Sequence, residues 1–191
     1  FGKVAPFYRA QETMFTTGQE SIFKEYGVEG LILYYAGVPF NLRRVAQGTS
    51  FFQMDETHWD HAFDHKLRGT VRCIRHAVPP MREHKWGRII NISGGAAWTP
   101  QLGAITTGVN NAAVQNLTVA LANELGKDGI LVNAVVPTAI RTDRHDKNIK
   151  DTMAKTGQSE AEVLKPRVAK IPLGRMAAAE EVAAVVAFLS S

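Results

Sequence analysis

Cysteine is nearly absent from the 191 residues: Cys73 stands alone, so no intrachain disulfide can form. A lone thiol fits a reducing compartment, and a cytoplasmic location is the expectation. Charge of one sign is not concentrated anywhere. The net charge of +4 comes from 22 basic and 18 acidic residues interleaved along the chain. Without a Lys/Arg block, the sequence offers nucleic acid no footprint. Long apolar runs are missing too: no stretch approaches the roughly 20 residues of a membrane span, and there is no secretory signal pattern. The first residue is Phe1 rather than Met, so a piece of a longer chain or a processed product is expected. What remains is ordinary, with 45% apolar and 21% charged residues, which suits a single domain with a full core over residues 1–191.

Read in order, the chain alternates strand and helix. Val4 to Tyr8 is a short strand that Pro6 keeps from the sheet centre, because proline has no N–H for the ladder. Met14, Gly18, Ile22 and Tyr26 recur every four residues, which predicts an amphipathic helix over 12–26 with Gly27 as its stop. Leu31 to Leu33 is a buried parallel strand running into Tyr34, Tyr35, Ala36 and Gly37, and Phe40 to Phe52 reads as a loop. Asp55 is expected to cap a helix over 55–78, striped by Trp59, Phe63, Leu67, Val71 and Ile74, with Pro79-Pro80 ending or kinking it. Arg88 to Ser93 is the next strand, broken by Gly94-Gly95. A helix over 105–125 carries Val114, Leu117, Leu121 and Leu125 on one face and stops at Gly126. Ile130 to Val136 is a further buried strand, stopped by Pro137. The segment 143–170 is polar, with a short helix at Ser159 to Leu164 limited by Pro166. Ala178 to Ser190 forms a closing helix with Val182, Val185, Val186 and Leu189 inward.

Such alternation predicts an α/β fold with a parallel sheet. Ligands of such sheets bind at the carboxyl ends of the strands. Here those ends are Tyr34 to Gly37, Ser93 to Gly95 and Pro137 to Thr142, which should line one crevice for a small-molecule ligand.

The segments GRIINIS (87–93), AAVQNLTVALANELGKDGILVNAVVP (112–137), AIRTD (139–143) and IPLGRMAAAEEVAAVVAFLSS (171–191) resemble the short-chain dehydrogenase/reductase family, close to the 3-oxoacyl-carrier-protein reductase type. The resemblance covers almost the whole chain. It implies a partial Rossmann-like, doubly wound sheet in three α/β/α layers, with strands equivalent to the family's third to sixth. It also implies an NAD or NADP cofactor, a substrate lid over 143–170, and a homo-oligomer formed through helices 55–78 and 105–125.

In such enzymes a tyrosine exchanges the substrate proton, a lysine four residues later tunes it, a serine polarises the carbonyl and an asparagine holds a relay water. Hydride transfer leaves an alkoxide that needs this set. On the matched flanks, the serine position is Gly94, the tyrosine position Thr107, the lysine position Asn111 and the asparagine position Lys66. The thirteen residues from Gly94 to Thr107 keep the family spacing. The cofactor positions are Tyr34, Tyr35, Ala36, Gly37, Pro137, Ile140 and Thr142. Of these only Ala36, Gly37, Pro137, Ile140 and Thr142 keep the family residue, and Thr138 replaces a glycine. The family's N-terminal Gly-rich turn has no counterpart in this sequence.

Strand 3 of the family order would then lie two places from strand 4. Either further N-terminal chain, or Val4 to Tyr8, or a partner chain is expected beside Leu31 to Leu33.

Lys66 and Asn111 look like an exchange of the family's two residue types, and Lys66 can serve as a base or ribose ligand, with Tyr34 or Tyr35 as proton donor. The alternative is that both positions drifted once activity was lost. His58, His61 and His65 share a helical face near Asp60 and Asp64, a spacing that suits a metal or simply a solvated face; no metal is assigned. Thr107 has no base near it in sequence for a nucleophile's role. Trp59, Trp86 and Trp98 read as core or loop packing. Two functions stay open: a family homologue without ordinary oxidoreductase activity, or an NAD(P)-dependent enzyme interconverting a ketone and an alcohol with substituted residues.

Overall fold

The computed structural model describes residues 31–33, 50–100 and 102–191. The expected strand at 4–8, the helix over 12–26 and the positions Tyr34 to Gly37 lie outside them. The chain divides into two compact units. The first runs to Val136 and takes in Val186–Ser191; the second is Pro137–Val185.

The first unit is built on a parallel sheet of β1 (Leu31–Leu33), β2 (Gly87–Ile92) and β3 (Ile130–Val135), in that order. Leu31 pairs with Ile89, and Ile89 in turn with Val132. The strands follow the expected places, and their order matches consecutive strands of the implied sheet. Successive side chains of β2 point to opposite faces, so its isoleucines serve two cores. Ile89 joins Ile130, Val132, Ile74, Val78 and Leu125 on one face. Ile90 and Ile92 meet Val186, Val135 and Leu189 on the other. Burying each of these large side chains contributes about 1.5–3 kcal/mol. Covered on both faces, the sheet gives the α/β/α layering read from the sequence.

Helix α1 (Glu56–Phe63) is capped by Asp55, whose carboxylate accepts from the His58 N–H at 3.1 Å. The His58 side chain in turn holds the Asp55 carboxyl below the usual carboxylate range. A π-helical stretch, Asp64–Arg68, joins α1 to α2 (Gly69–His84). The helix continues past Pro79-Pro80 to His84, so of the two outcomes expected of these prolines they do not end it. Both prolines are exposed.

Helix α3 (Ile105–Leu125) has the predicted span. It ends at Gly126 as expected, but that glycine keeps a right-handed φ of −57° and leads into a 3-10 turn, and the left-handed conformation comes at Gly129, with φ 75°. Helix α6 (Ala179–Ser190), the last in the chain, buries Val186 and Ser190 but leaves Val185 47% exposed. The expectation of an inward Val185 fails because Val182 to Leu189 is apolar throughout, so periodicity does not single out the inner face there.

The second unit contains more helix than its polar composition suggested. α4 (Asp143–Thr156) buries Ile149, and α5 (Glu160–Val168) buries Val163. Pro166 does not break α5: it lies within its last turn and is exposed. A short parallel pair, β4 (Ile140–Arg141) and β5 (Ala177–Ala178), completes the unit. Ser159 caps α5 by accepting from the Glu162 N–H, while Glu162 accepts from the Ser159 N–H at 2.8 Å. Replacing Ser159 with alanine should lower the stability of this unit by about 1 kcal/mol in urea unfolding. An unchanged midpoint would show that the cap is not stabilising. Among the described residues, no helix is long and apolar enough to cross a membrane.

Candidate active site

Three of the residues singled out in the sequence, Gly94, Asn111 and Lys66, come together near the carboxyl end of β2, within the first unit. Ser93 and Gly94 follow the strand, and a 3-10 turn, Gly95–Ala97, leads toward α3. Helix and turn approach closely: a Cβ on Gly108 would lie 2.9 Å from the Ala96 carbonyl oxygen. Gly108 therefore lets the first turn of α3 sit against the loop.

Asn111 is buried at 3% exposure. Its backbone carbonyl accepts from Ser93 Oγ at 3.0 Å, and Ser93 Oγ accepts from Gln115 Nε2 at 3.0 Å. Asn91, deeper on β2, donates to Thr118 Oγ1 at 2.8 Å. Strand and helix are thus joined by side-chain hydrogen bonds along their shared face. The sequence places Ser93 at a crevice-lining strand end and Gln115 in a matching segment, but it assigns neither a hydrogen-bonding role. The signal was available, since Gln115 lies one helical turn beyond Asn111 and Ser93 directly precedes Gly94.

Lys66 arrives from the π-helical stretch, and its ammonium donates to Asn111 Oδ1. Burial pushes the Lys66 amine down from an ordinary 10.5 to about 8. A π-bulge widens one turn, and such bulges are frequent at functional positions. On the exposed side of this region, Arg72 pairs with Asp64 at 3.0 Å and Arg68 with Asp60 at 3.5 Å. Such exposed pairs add little stability.

Thus Gly94, Asn111 and Lys66 are brought together. At Gly94, a Cβ would lie 2.8 Å from Asn111 Nδ2. Thr107, one turn before Asn111, is exposed. In the second unit, Pro137 and Ile140 are half-buried, and exposed Thr142 precedes α4 in extended backbone.

The histidine face holds no metal set. His58 is bound to Asp55, and His65 Nδ1 lies 2.8 Å from the His61 carbonyl oxygen. Among the described residues, no group of three or more His, Cys, Asp or Glu is placed to hold a metal ion. The tryptophans differ from one another. Trp59 packs on Phe63 at 5.7 Å, Trp86 carries the Arg88 guanidinium at 4.8 Å over its ring, and Trp98 is 68% exposed.

A family model described as enoyl-(acyl carrier protein) reductase matches residues 36–191. The chain belongs to the short-chain dehydrogenase/reductase family. This is a family of NAD(P)-dependent oxidoreductases. The chain is 33% identical over 141 residues to a 3-oxoacyl-acyl-carrier-protein reductase of Aquifex aeolicus, covering 74% of this chain and 52% of that protein. It is 29% identical over 175 residues to an acetoacetyl-CoA reductase of Cupriavidus necator, covering 92% and 64%. Among solved structures it is similar to L-sorbose reductase from Gluconobacter frateurii, complexed with NADPH and L-sorbose. There the TM-score is 0.75 at 26% identity, covering 90% of this chain and 63% of that one. The chain thus spans between about half and two thirds of the length of these relatives.

Proposed function

We propose that this chain is a short-chain dehydrogenase/reductase homologue without ordinary carbonyl-reducing activity. The observation that carries the reading is the Lys66–Asn111 pair beside Gly94. The resemblance assigns positions 94, 107, 111 and 66 to serine, tyrosine, lysine and asparagine. Glycine at 94 has no hydroxyl for a carbonyl. A serine there would bring its Cβ to 2.8 Å from Asn111 Nδ2, and Asn111 is buried and bound to Lys66. A threonine hydroxyl at 107 does not titrate near neutrality as an activated tyrosine does. Of these four positions, Gly94, Asn111 and Lys66 form one interlocked arrangement.

Of the cofactor positions, Pro137, Ile140 and Thr142 keep the family residue, whereas Tyr34, Tyr35 and Thr138 do not. The N-terminus of α4, after Thr142, would be the natural seat for a phosphate. It already carries the carboxylates of Asp143 and Asp146 in its first turn. Neighbouring Arg141 is paired with Asp146 at 2.8 Å and with Glu160 at 2.9 Å. We therefore route no step through a nicotinamide. The segment 143–170 as a substrate lid, and pairing of two copies through helices 55–78 and 105–125, remain proposals that the resemblance supports.

A second reading has one observation in its favour. A Lys66 amine at about 8 exchanges protons near neutral pH, so it can replace the missing tyrosine as proton donor in a ketone reductase. Turnover of NADH and NADPH with a panel of 3-oxo esters and simple ketones separates the two. We expect wild type and Lys66→Ala to match the protein-free rate. Turnover in the wild type that falls at least a hundredfold in Lys66→Ala establishes the second reading.

A further inference from the structure

We propose that Asp128–Gly129 is the point at which this chain converts aspartate to isoaspartate, and that the ion pair between Asp128 and Arg82 protects the linkage in the folded protein.

The sequence isolates the bond. Asp128–Gly129 is the one place in the 191 residues where aspartate or asparagine precedes glycine. Glycine matters because it has no Cβ to hinder its own nitrogen and leaves the backbone free to turn. The step is a cyclisation. The Gly129 nitrogen attacks Cγ of the protonated Asp128 side chain and a C–N bond forms. The nitrogen loses its proton, and the side-chain hydroxyl leaves with a proton as water. Water then opens the succinimide at either carbonyl. Opening at Cγ restores aspartate. Opening at the original main-chain carbonyl gives isoaspartate, whose main chain runs through Cβ and Cγ and is one methylene longer.

The fold withholds what this step needs. Asp128 Oδ2 accepts from Arg82 Nε at 2.7 Å, and Lys85 Nζ lies 3.8 Å from Oδ1. Arg82 stands in the last turn of α2 and Lys85 just after it, so the carboxylate is tied to another element. The guanidinium also holds the Asp128 carboxyl below the usual carboxylate range, and an ionised carboxylate has no hydroxyl to lose as water. Ring closure further requires Cβ and the next nitrogen to eclipse about the Cα–C bond. Asp128 belongs to the 3-10 turn, where ψ of roughly −20 to −30° keeps those atoms apart. The Gly129 N–H is occupied as well, donating to the Gly126 carbonyl at 3.0 Å.

The pair acts on position more than on stability. Arg82 is 45% exposed, and such pairs add little to the free energy of folding. Removing it should free the Asp128 side chain while the domain stays folded. The turn joins α3, which carries Asn111, to β3, so an extra methylene there lengthens the link between the helix and its strand.

The test is isoaspartate accumulation in the protein stored at neutral pH. It is read after cleavage at glutamate, as methyl transfer by a protein isoaspartyl methyltransferase to the peptide that begins at Leu125. Wild type unfolded in urea should accumulate isoaspartate at least tenfold faster than folded wild type. Arg82→Ala and Arg82→Gln, both folded, should accumulate it at least threefold faster than wild type held in the urea that gives it the same stability. Lys85→Ala, at the longer contact, should change the rate less than either. Equal rates in folded and unfolded wild type, or Arg82 variants that match the stability-matched wild type, overturn the proposed protection. Isoaspartate that arises in other peptides of unfolded wild type, and not in this one, overturns the assignment to Asp128–Gly129.

Discussion

Replacing Gly129 with alanine should destabilise the first unit by roughly 3 kcal/mol or more, the largest effect expected of a methyl added at any of the described glycines. Two penalties add there. Gly129 has φ 75°, and a Cβ would lie 2.2 Å from the Lys85 carbonyl oxygen. The left-handed conformation alone costs an L-residue about 1–2 kcal/mol. The contact is with backbone, which cannot rotate away, and Lys85 is itself held left-handed at φ 53° at the end of α2. Neighbouring glycines separate the terms. Gly157 has φ 70° with nothing within 4 Å, so Gly157→Ala should cost the conformational part only. Gly126 has φ −57° and open space, so Gly126→Ala should be neutral or slightly stabilising. Urea midpoints that rank these three in any other order would refute the geometry of the turn.

The second large effect is a pH dependence at Lys66. Its folded-state value is about 8 against an ordinary 10.5, and the cause is burial. Below pH 8 the amine is charged in both states, so folding carries the full cost of burying it. Between pH 8 and 10.5 the folded chain releases its proton while the unfolded chain keeps its own. Stability therefore rises with pH across that window. Wild type should gain on Lys66→Met by roughly 1–3 kcal/mol from pH 8 to pH 10.5. Other groups titrate there too, but they are common to both proteins and cancel in the difference. Parallel stability curves would show that Lys66 is solvated rather than held against Asn111.

Much of the frame was legible because it rests on local pattern. The isoleucines of 89–92 could only be a strand buried on both sides, and α3 began and ended where its apolar face did. Other features were less legible. Pro79 and Pro80 were expected to end or kink α2 and Pro166 to limit α5, yet each is exposed and the helix continues past it. Gly126 was read as the stop, and α3 ends there, but the left-handed turn came three residues later. α4 is easily missed because its apolar face is carried by little more than Ile149 and Met153, four residues apart. The two-residue strands β4 and β5 are too short to show any.

The candidate site was legible only in part. Spacing and resemblance pointed to positions 66, 94, 107 and 111, and suggested an exchange between 66 and 111. They could not show that Lys66 and Asn111 touch, because 45 residues separate them. Nor could they show that the Asn111 amide turns toward the position where a residue 94 side chain would begin. That contact is tertiary, and it changes the meaning of the substitutions. Glycine at 94 is the residue that a buried, lysine-bound asparagine at 111 requires.

The interlocked set of Lys66, Asn111 and Gly94 should not transfer hydride to a ketone. Its most direct test is single-turnover transfer of deuterium from C4-deuterated NADPH to a 3-oxo ester, with protein in excess and the product examined by mass spectrometry. No deuterated alcohol should form above the protein-free control. Deuterated alcohol formed by the wild-type protein, and lost in Lys66→Ala, would contradict it.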